Sequence, residues 1–364
     1  TKEIVVWCSN DYLGMGQNLF SIKSVKKALD KYGIGSGGTR NISGTSKSIV
    51  NLENELKMLH NKERAIVFTS GYVANETSIS TLLSLMDNPI VFSDELNHAS
   101  IISGIKKQLN INKVIFRHND INHLESLLNN FPFEKPKIII FESVYSMNGS
   151  IAPIDGIVKI AKKFNALTYL DEVHAVGMYG KKGGGIAQEL NLEKDIDIIQ
   201  GTFAKAYGAV GGYIASSELI CDAIRSYGSG FIFTSALPPA IMEGALSSIK
   251  YLKNSSIERE AQKLKVSLLK NLLKENLIPF LENKSHIIPI IVGDAKKCSE
   301  MSWKLLEKYE IYIQPINYPT VNKGEERLRI TPGPFHTDKM IKDLVKALKD
   351  VFDEFKPPSY FDLK

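Results

Sequence analysis

Between residues 65 and 215 short apolar runs alternate with stretches in which apolar residues recur at helical spacing, so strands and helices take turns along the chain. The runs at 65–68, 90–93, 114–117, 137–142, 166–171, 196–200 and 212–215 predict seven strands, and the stretches at 50–60, 73–85, 121–128 and 154–164 predict helices among them. Most of the runs are apolar at successive positions rather than at alternate ones. That pattern belongs to a largely parallel sheet covered by helices on both faces, an α/β fold. A further strand is predicted at 4–7 and a helix at 20–32, ahead of this region. After residue 237 the order changes to a long helical stretch at 240–277, strands at 286–292, 311–315 and 328–330, and a closing helix at 337–355, which predicts a smaller α+β domain. The expected division is an N-terminal segment at 1–32, a large domain at 33–240 and a small domain at 241–364.

Composition narrows the function. The 364 residues are 43% hydrophobic, enough for a sizeable core. The net charge of +5 comes from lysines dispersed among acidic residues, without the basic block of a nucleic-acid partner. No apolar run approaches the ~20 residues of a membrane span, and residues 1–9 lack a signal-peptide pattern. The expected location is the cytoplasm. Cys8, Cys221 and Cys298 are widely spaced, which argues against disulfides and structural zinc. The chain opens abruptly on a predicted strand, so a preceding segment is expected.

Candidate chemistry gathers at predicted strand ends, where ligands bind in such sheets. Lys205 is the single lysine in GTFAKAYGAVGG (201–212). It is either a solvated loop residue or an amine whose pKa is lowered by desolvation so that it can form a Schiff base. In YLDEVH (169–174), Asp171 and His174 could be a metal pair, a structural hydrogen bond, or the partners of a pyridinium nitrogen and a phenolic oxygen. Ser70, Gly71 and Tyr72 stand between a strand and a helix, in an ordinary turn or at a phosphate-binding helix start. His98 is a helix cap or a ring that stacks on a cofactor, and Arg329 forms a surface ion pair or a bidentate pair with a carboxylate. The glycine-rich loop GIGSGGTRNISGT (33–45) follows a helix rather than a strand, which argues against a dinucleotide fingerprint and for a loop that lets backbone approach a ligand.

Together these residues describe a pyridoxal 5'-phosphate site. The runs GGTRNISGT (37–45), FTSGYVAN (68–75), LNHASII (96–102), FRHND (116–120), FESVYSMNG (141–149), YLDEVHAVG (169–177), RSYGSGFIFTSALPP (225–239) and QPINYPTV (314–321) resemble those of the α-oxoamine synthases. The resemblance covers nearly the whole chain. It implies the aspartate-aminotransferase-like fold, fold type I, and a homodimer with shared active sites; separately, the heavy use of Ile, Asn and Lys points to an AT-rich, bacterial genome. It also implies the decarboxylating condensation of glycine with succinyl-CoA to 5-aminolevulinate, at the first step of tetrapyrrole synthesis. Sister activities making 2-amino-3-ketobutyrate or 8-amino-7-oxononanoate, an ordinary aminotransferase, and a non-catalytic subunit of a heterodimer are the alternatives. The roles it implies are a Schiff base and proton transfer for Lys205, pairing with the ring nitrogen for Asp171 and with the phenolic oxygen for His174, and stacking for His98. Ser146, Thr202 and the partner subunit's Thr234 and Ser235 would hold cofactor and phosphate. Arg329 would bind the glycine carboxylate, Tyr12 would lie near the cofactor, and Thr39, Arg40 and Asn41 would select the small amino acid and the succinyl end. Ser93, Lys113 and Thr320 would meet the acyl-CoA. A further substrate-binding arginine is expected upstream of residue 1, and the loop at 318–324 is expected to act as a lid.

Overall fold

A computed structural model describes residues 2–109 and 111–357. Its strands are β1 (Val5–Val6), β2 (Arg64–Phe68), β3 (Ile90–Asp94), β4 (Asn112–Phe116), β5 (Lys137–Glu142), β6 (Ala166–Asp171), β7 (Ile198–Thr202), β8 (Gly212–Ser216), β9 (Ile288–Ile291), β10 (Ile311–Tyr312), β11 (Pro315–Ile316) and β12 (Arg327–Ile330). The chain divides into two compact units. The larger is Met15–Tyr145 with Ala152–Ser255, and the smaller gathers Thr1–Gly14, Ser146–Ile151 and Ser256–Lys364.

The larger unit holds a seven-stranded sheet in the order β2-β8-β7-β6-β5-β3-β4. β3 to β7 run parallel with β4, while β8 is antiparallel to both β7 and β2. Strands β3, β5, β7 and β8 are buried along their whole length, as their unbroken apolar runs require. Ile66, Val91, Ile138, Ile140, Ile198 and Ile214 from the sheet pack with Ala74, Ile79 and Leu83 of the helix Gly71–Leu85. Each of the isoleucine, valine and leucine side chains contributes roughly 1.5–3 kcal/mol on burial. Because the parallel strands share one direction, Glu142 and Asp171 end neighbouring strands as register partners. Two carboxylates are thereby set side by side at the carboxyl edge.

In the smaller unit β1 pairs in parallel with β10, and β11-β12-β9 form an antiparallel sheet. The helices Ile257–Glu275, Ala295–Tyr309 and Asp338–Phe355 close its core, in which Trp7, Leu269, Leu305, Ile330 and Leu348 are fully buried. Four expectations change. The stretch at 240–277 divides into Pro239–Asn254 and Ile257–Glu275, because Ser255 and Ser256 leave the helix and the Ser256 hydroxyl turns to Glu260. The strand at 311–315 divides into β10 and β11, which join different sheets. The helices Glu218–Tyr227 and Ala295–Tyr309 were not predicted; their caps, Ser217 and Asp294, each accept a backbone N–H and mark starts that the apolar pattern alone does not. Among the described residues no helix is long and apolar enough to cross a membrane.

Candidate active site

Asp171 closes β6 and is buried. The Asn75 amide donates to its Oδ2 at 2.7 Å, and the Val173 N–H donates to its Oδ1 at 2.8 Å. Burial raises the Asp171 pKa above the ordinary value; the two donors and the charges of His98 and Lys205 oppose this without cancelling it. Asn75 is itself held by the Tyr169 hydroxyl, which donates to its Oδ1 at 2.9 Å, and its amide also donates to Ser100 Oγ at 3.0 Å.

His98 precedes the helix Ala99–Lys106 and caps it, its Nδ1 accepting the Ser100 N–H at 3.1 Å. Nδ1 is therefore the acceptor nitrogen, and the neutral ring carries its proton on Nε2. Burial, with the Lys205 charge adding, lowers the His98 pKa; the Asp171 charge opposes. Capping the helix and lining the cavity are thus compatible roles of one residue. The His98 N–H donates to Glu142 Oε1 at 2.7 Å, and the Glu142 carboxyl is pushed well above the usual range by burial and by the neighbouring Asp171.

These groups surround a cavity of about 200 Å³ in the larger unit, lined by Gly71, Tyr72, Asn75, His98, Ser100, Glu142, Asp171, Val173, His174, Thr202, Ala204 and Lys205. Ser70 caps the helix Gly71–Leu85, its Oγ accepting the Val73 N–H at 3.1 Å. This leaves the first N–H groups of that helix at the cavity wall, where an anion is favoured. Thr202 Oγ1 donates to Gly211 O at 2.8 Å and accepts the Ala204 N–H at 3.2 Å, fixing the turn that carries Lys205. Gly208 ends that turn at φ +63°, and a Cβ there would lie 2.0 Å from the Gly16 nitrogen. Only glycine fits.

Seven of the predicted residues, Gly71, Tyr72, His98, Asp171, His174, Thr202 and Lys205, thus meet at one cavity. Arg40, Thr234 and Ser235 lie around a separate cleft. Arg40 is buried there in an ion pair with Glu53 at 2.8 Å, and Thr39 bridges Ser235. Asn41, Lys113 and Thr320 are exposed. Ser93 is buried and accepts the Asn97 amide at 2.9 Å.

In the smaller unit Arg329 lies on β12, buried. Its Nε donates to Ser146 O at 2.7 Å, Nη2 to the Tyr12 hydroxyl at 2.9 Å and Nη1 to Asn10 Oδ1 at 3.4 Å. Among the described residues these are its hydrogen bonds, and a guanidinium has five N–H groups. One donor on each Nη is left for a planar, bidentate anion. Asn75, Ser100 and Glu142 carry no expectation from the sequence, although all three fall inside quoted runs. The available signal was the polar residue set within an otherwise apolar element.

A seven-stranded sheet with a lysine turn, a buried aspartate and a helix start around one cavity defines a class of protein. The aminotransferase class I and II family model matches residues 2–348, and the chain belongs to that family. It is 55% identical over 353 residues to the 5-aminolevulinate synthase of Rickettsia prowazekii (strain Madrid E), covering 97% of this chain and 85% of the relative. It is 51% identical over 357 residues to the 5-aminolevulinate synthase of Bradyrhizobium diazoefficiens, covering 98% and 87%. Among solved structures, Sphingomonas wittichii serine palmitoyltransferase superposes with a TM-score of 0.93 at 30% identity, covering 98% of this chain and 89% of that one. A further serine palmitoyltransferase structure, solved with PLP, also gives 0.93, at 31% identity and coverage of 98% and 89%.

Proposed function

We propose that this chain condenses glycine with succinyl-CoA, giving 5-aminolevulinate, coenzyme A and carbon dioxide, with pyridoxal 5'-phosphate as cofactor. The observation that carries the reading is the convergence of Lys205, Asp171, His174 and His98 on one cavity. The cofactor fits the donor set. Asp171 is a buried carboxylate whose oxygens each accept one hydrogen bond among the described residues, which leaves capacity for a protonated ring nitrogen. The helix start at Gly71 and Tyr72 offers backbone N–H groups to a phosphate, and a Cβ at Gly71 would lie 3.4 Å from the Gln200 amide nitrogen and from Thr202 Oγ1. When bound, pyridoxal 5'-phosphate supplies an electron sink for the carbanion formed at the glycine α-carbon.

The residues of the chain do the rest. Lys205 holds the cofactor and then moves the proton at the glycine α-carbon. Asp171 keeps a proton on the ring nitrogen, and Asn75 and Val173 hold Asp171 in place. His174 donates to the ring's phenolic oxygen. His98 covers one face of the ring as a neutral imidazole. Arg329 binds the glycine carboxylate through its Nη donors. Ser146 assists with the cofactor, Tyr12 supports Arg329, and Ser93, Lys113 and Thr320 meet the acyl-CoA. Thr39, Arg40 and Asn41 discriminate the substrate ends, and the partner's Thr234 and the partner's Ser235 complete the phosphate site in a homodimer. The loop at 318–324 acts as the lid. The 5-aminolevulinate synthases named above are bacterial, which supports a bacterial cytoplasmic enzyme.

The test is product analysis with glycine and a series of acyl-CoAs. The expected result is 5-aminolevulinate from succinyl-CoA, with acetyl-CoA and pimeloyl-CoA turned over at least about 100-fold more slowly. Equal turnover of another acyl-CoA would sink the assignment.

A further inference from the structure

We propose that Lys270 and Asn283 are positioning residues for glycine recognition, because they pin the loop whose Ser146 carbonyl aims the Arg329 guanidinium. The inference rests on the reading of Arg329 as the carboxylate site, and every group in it belongs to the smaller unit.

The loop Ser146–Ile151 presents successive carbonyls to the two arginines of β12. Ser146 O accepts from Arg329 Nε at 2.7 Å, and Met147 O accepts from Arg327 Nη1 at 3.1 Å. The next carbonyl, Asn148 O, accepts from Asn283 Nδ2 at 3.1 Å. Leu281 O and Ile287 O also lie within hydrogen-bond distance of this nitrogen, at 3.2 and 3.0 Å, so its two N–H groups are shared among three carbonyls and tie the loop to its own turn. Gly149 follows at φ +70°, and a Cβ there would lie 2.6 Å from Asn283 Nδ2 and 2.8 Å from Ser285 Oγ. The approach of the loop to Asn283 therefore depends on glycine.

Asn283 is fixed in turn by a charge. Lys270 Nζ, on the helix Ile257–Glu275, donates to Asn283 O at 2.8 Å, to Asn283 Oδ1 at 3.2 Å and to Ser285 O at 2.8 Å. The ammonium sets the orientation of the side-chain amide: Oδ1 faces Lys270, so Nδ2 faces the loop. Charge-assisted bonds of this kind hold geometry better than neutral ones. Loss of either residue removes or misdirects the Asn283 hydrogen bond to the Asn148 carbonyl, which loosens the register of the two carbonyls before it against β12. A carboxylate held by a bidentate fork is sensitive to small errors of angle.

The experiment uses the full-length holoenzyme and steady-state kinetics with both substrates. In Asn283→Asp the acceptor facing Lys270 stays and the donor to Asn148 O is lost. The expected result is a rise of about tenfold in KM for glycine, with kcat and KM for succinyl-CoA changed by no more than about twofold. Lys270→Met is expected to raise the glycine KM about fivefold, and Lys270→Arg to bring it back to within about twofold of the parent. A glycine KM that stays unchanged in both Asn283→Asp and Lys270→Met overturns the proposal, as does a parallel rise of both substrates' KM values. If Asn283→Asp does not fold, Asn283→Ser carries the same expectation. Arg329→Lys separates the two readings. If it leaves the glycine KM unchanged, the carboxylate role of Arg329 falls. If it raises that KM while the Asn283 and Lys270 variants do not, only the positioning role falls.

Discussion

Asn75 joins the two groups that flank the cavity. One amide donates to Asp171 and to Ser100, and Ser100 in turn lies 2.7 Å from His98 Nδ1. Removing a hydrogen bond to a buried charged group costs about 1.5–3 kcal/mol. Asn75→Ala is therefore expected to weaken pyridoxal 5'-phosphate binding by about tenfold or more, because Asp171 keeps one donor and its neutral form is favoured further. An absorbance titration of the apoprotein with cofactor checks this, and an unchanged affinity would remove Asn75 from the site. The same residue shows what the sequence conceals. Lys205 and Asp171 are legible because each stands at the end of an apolar run, where a charge has no reason to be unless it works or is paired. Asn75 lies 96 positions from Asp171, inside a helix, and its meaning arises only when the sheet brings the two together. Glu142 ends an apolar run as Asp171 does and carried the same signal; what the sequence hides is its partner His98, 44 positions away.

At the scale of elements, apolar runs announce strands but not their direction. β8 follows β7 after nine residues, too few for the crossover of a dozen or more that a parallel neighbour needs, so its antiparallel direction was available from spacing alone. The contact that holds β8 to the helix before β2 was not available. His60 follows the helix Lys47–Leu59, and its Nε2 meets the Tyr213 hydroxyl of β8 at 2.9 Å inside the core. Burial, with a smaller effect from Lys62, lowers the His60 pKa to about 3. In the unfolded chain it titrates near 6.5. Between these values the unfolded state binds a proton that the folded state refuses, so stability is lost as pH falls from 6.5 toward 3. The loss attributable to His60 is about 2 kcal/mol between pH 6.5 and 4.5. Glu172, pushed up to about 7 by burial, acts in the opposite sense and loses stability as pH rises from 4.5 to 7. Total stability therefore conceals both effects. The difference between the parent and His60→Gln, measured by urea unfolding at pH 6.5 and 4.5, isolates the first. The gap is expected to narrow by about 2 kcal/mol at the lower pH, and a constant gap would show that His60 does not titrate in this range.

At the scale of the whole molecule, the smaller unit is not simply the end of the chain. Residues of its first stretch are part of its core: β1 pairs with β10, Trp7 is fully buried and stacks on His336 at 4.0 Å, and Thr331 donates to Trp7 O and Ser9 O. That stretch also carries Asn10 and Tyr12, which hold Arg329. Stability and the placement of Arg329 therefore share one anchor, while the cavity with Lys205 and Asp171 is built wholly from the larger unit. Replacing Trp7 by alanine leaves a large hole and costs about 3–5 kcal/mol. The expected outcome in the full-length protein is a clear fall in the urea midpoint and a raised KM for glycine, with the affinity for pyridoxal 5'-phosphate within about twofold of the parent. Trp303, the other tryptophan, is 64% exposed on the helix Ala295–Tyr309, and Trp303→Ala should shift stability by no more than about 0.5 kcal/mol. Unfolding curves, a cofactor titration and glycine kinetics on the two variants decide the matter. If Trp7→Ala weakens the cofactor as much as glycine, the N-terminal stretch does not act through the smaller unit alone.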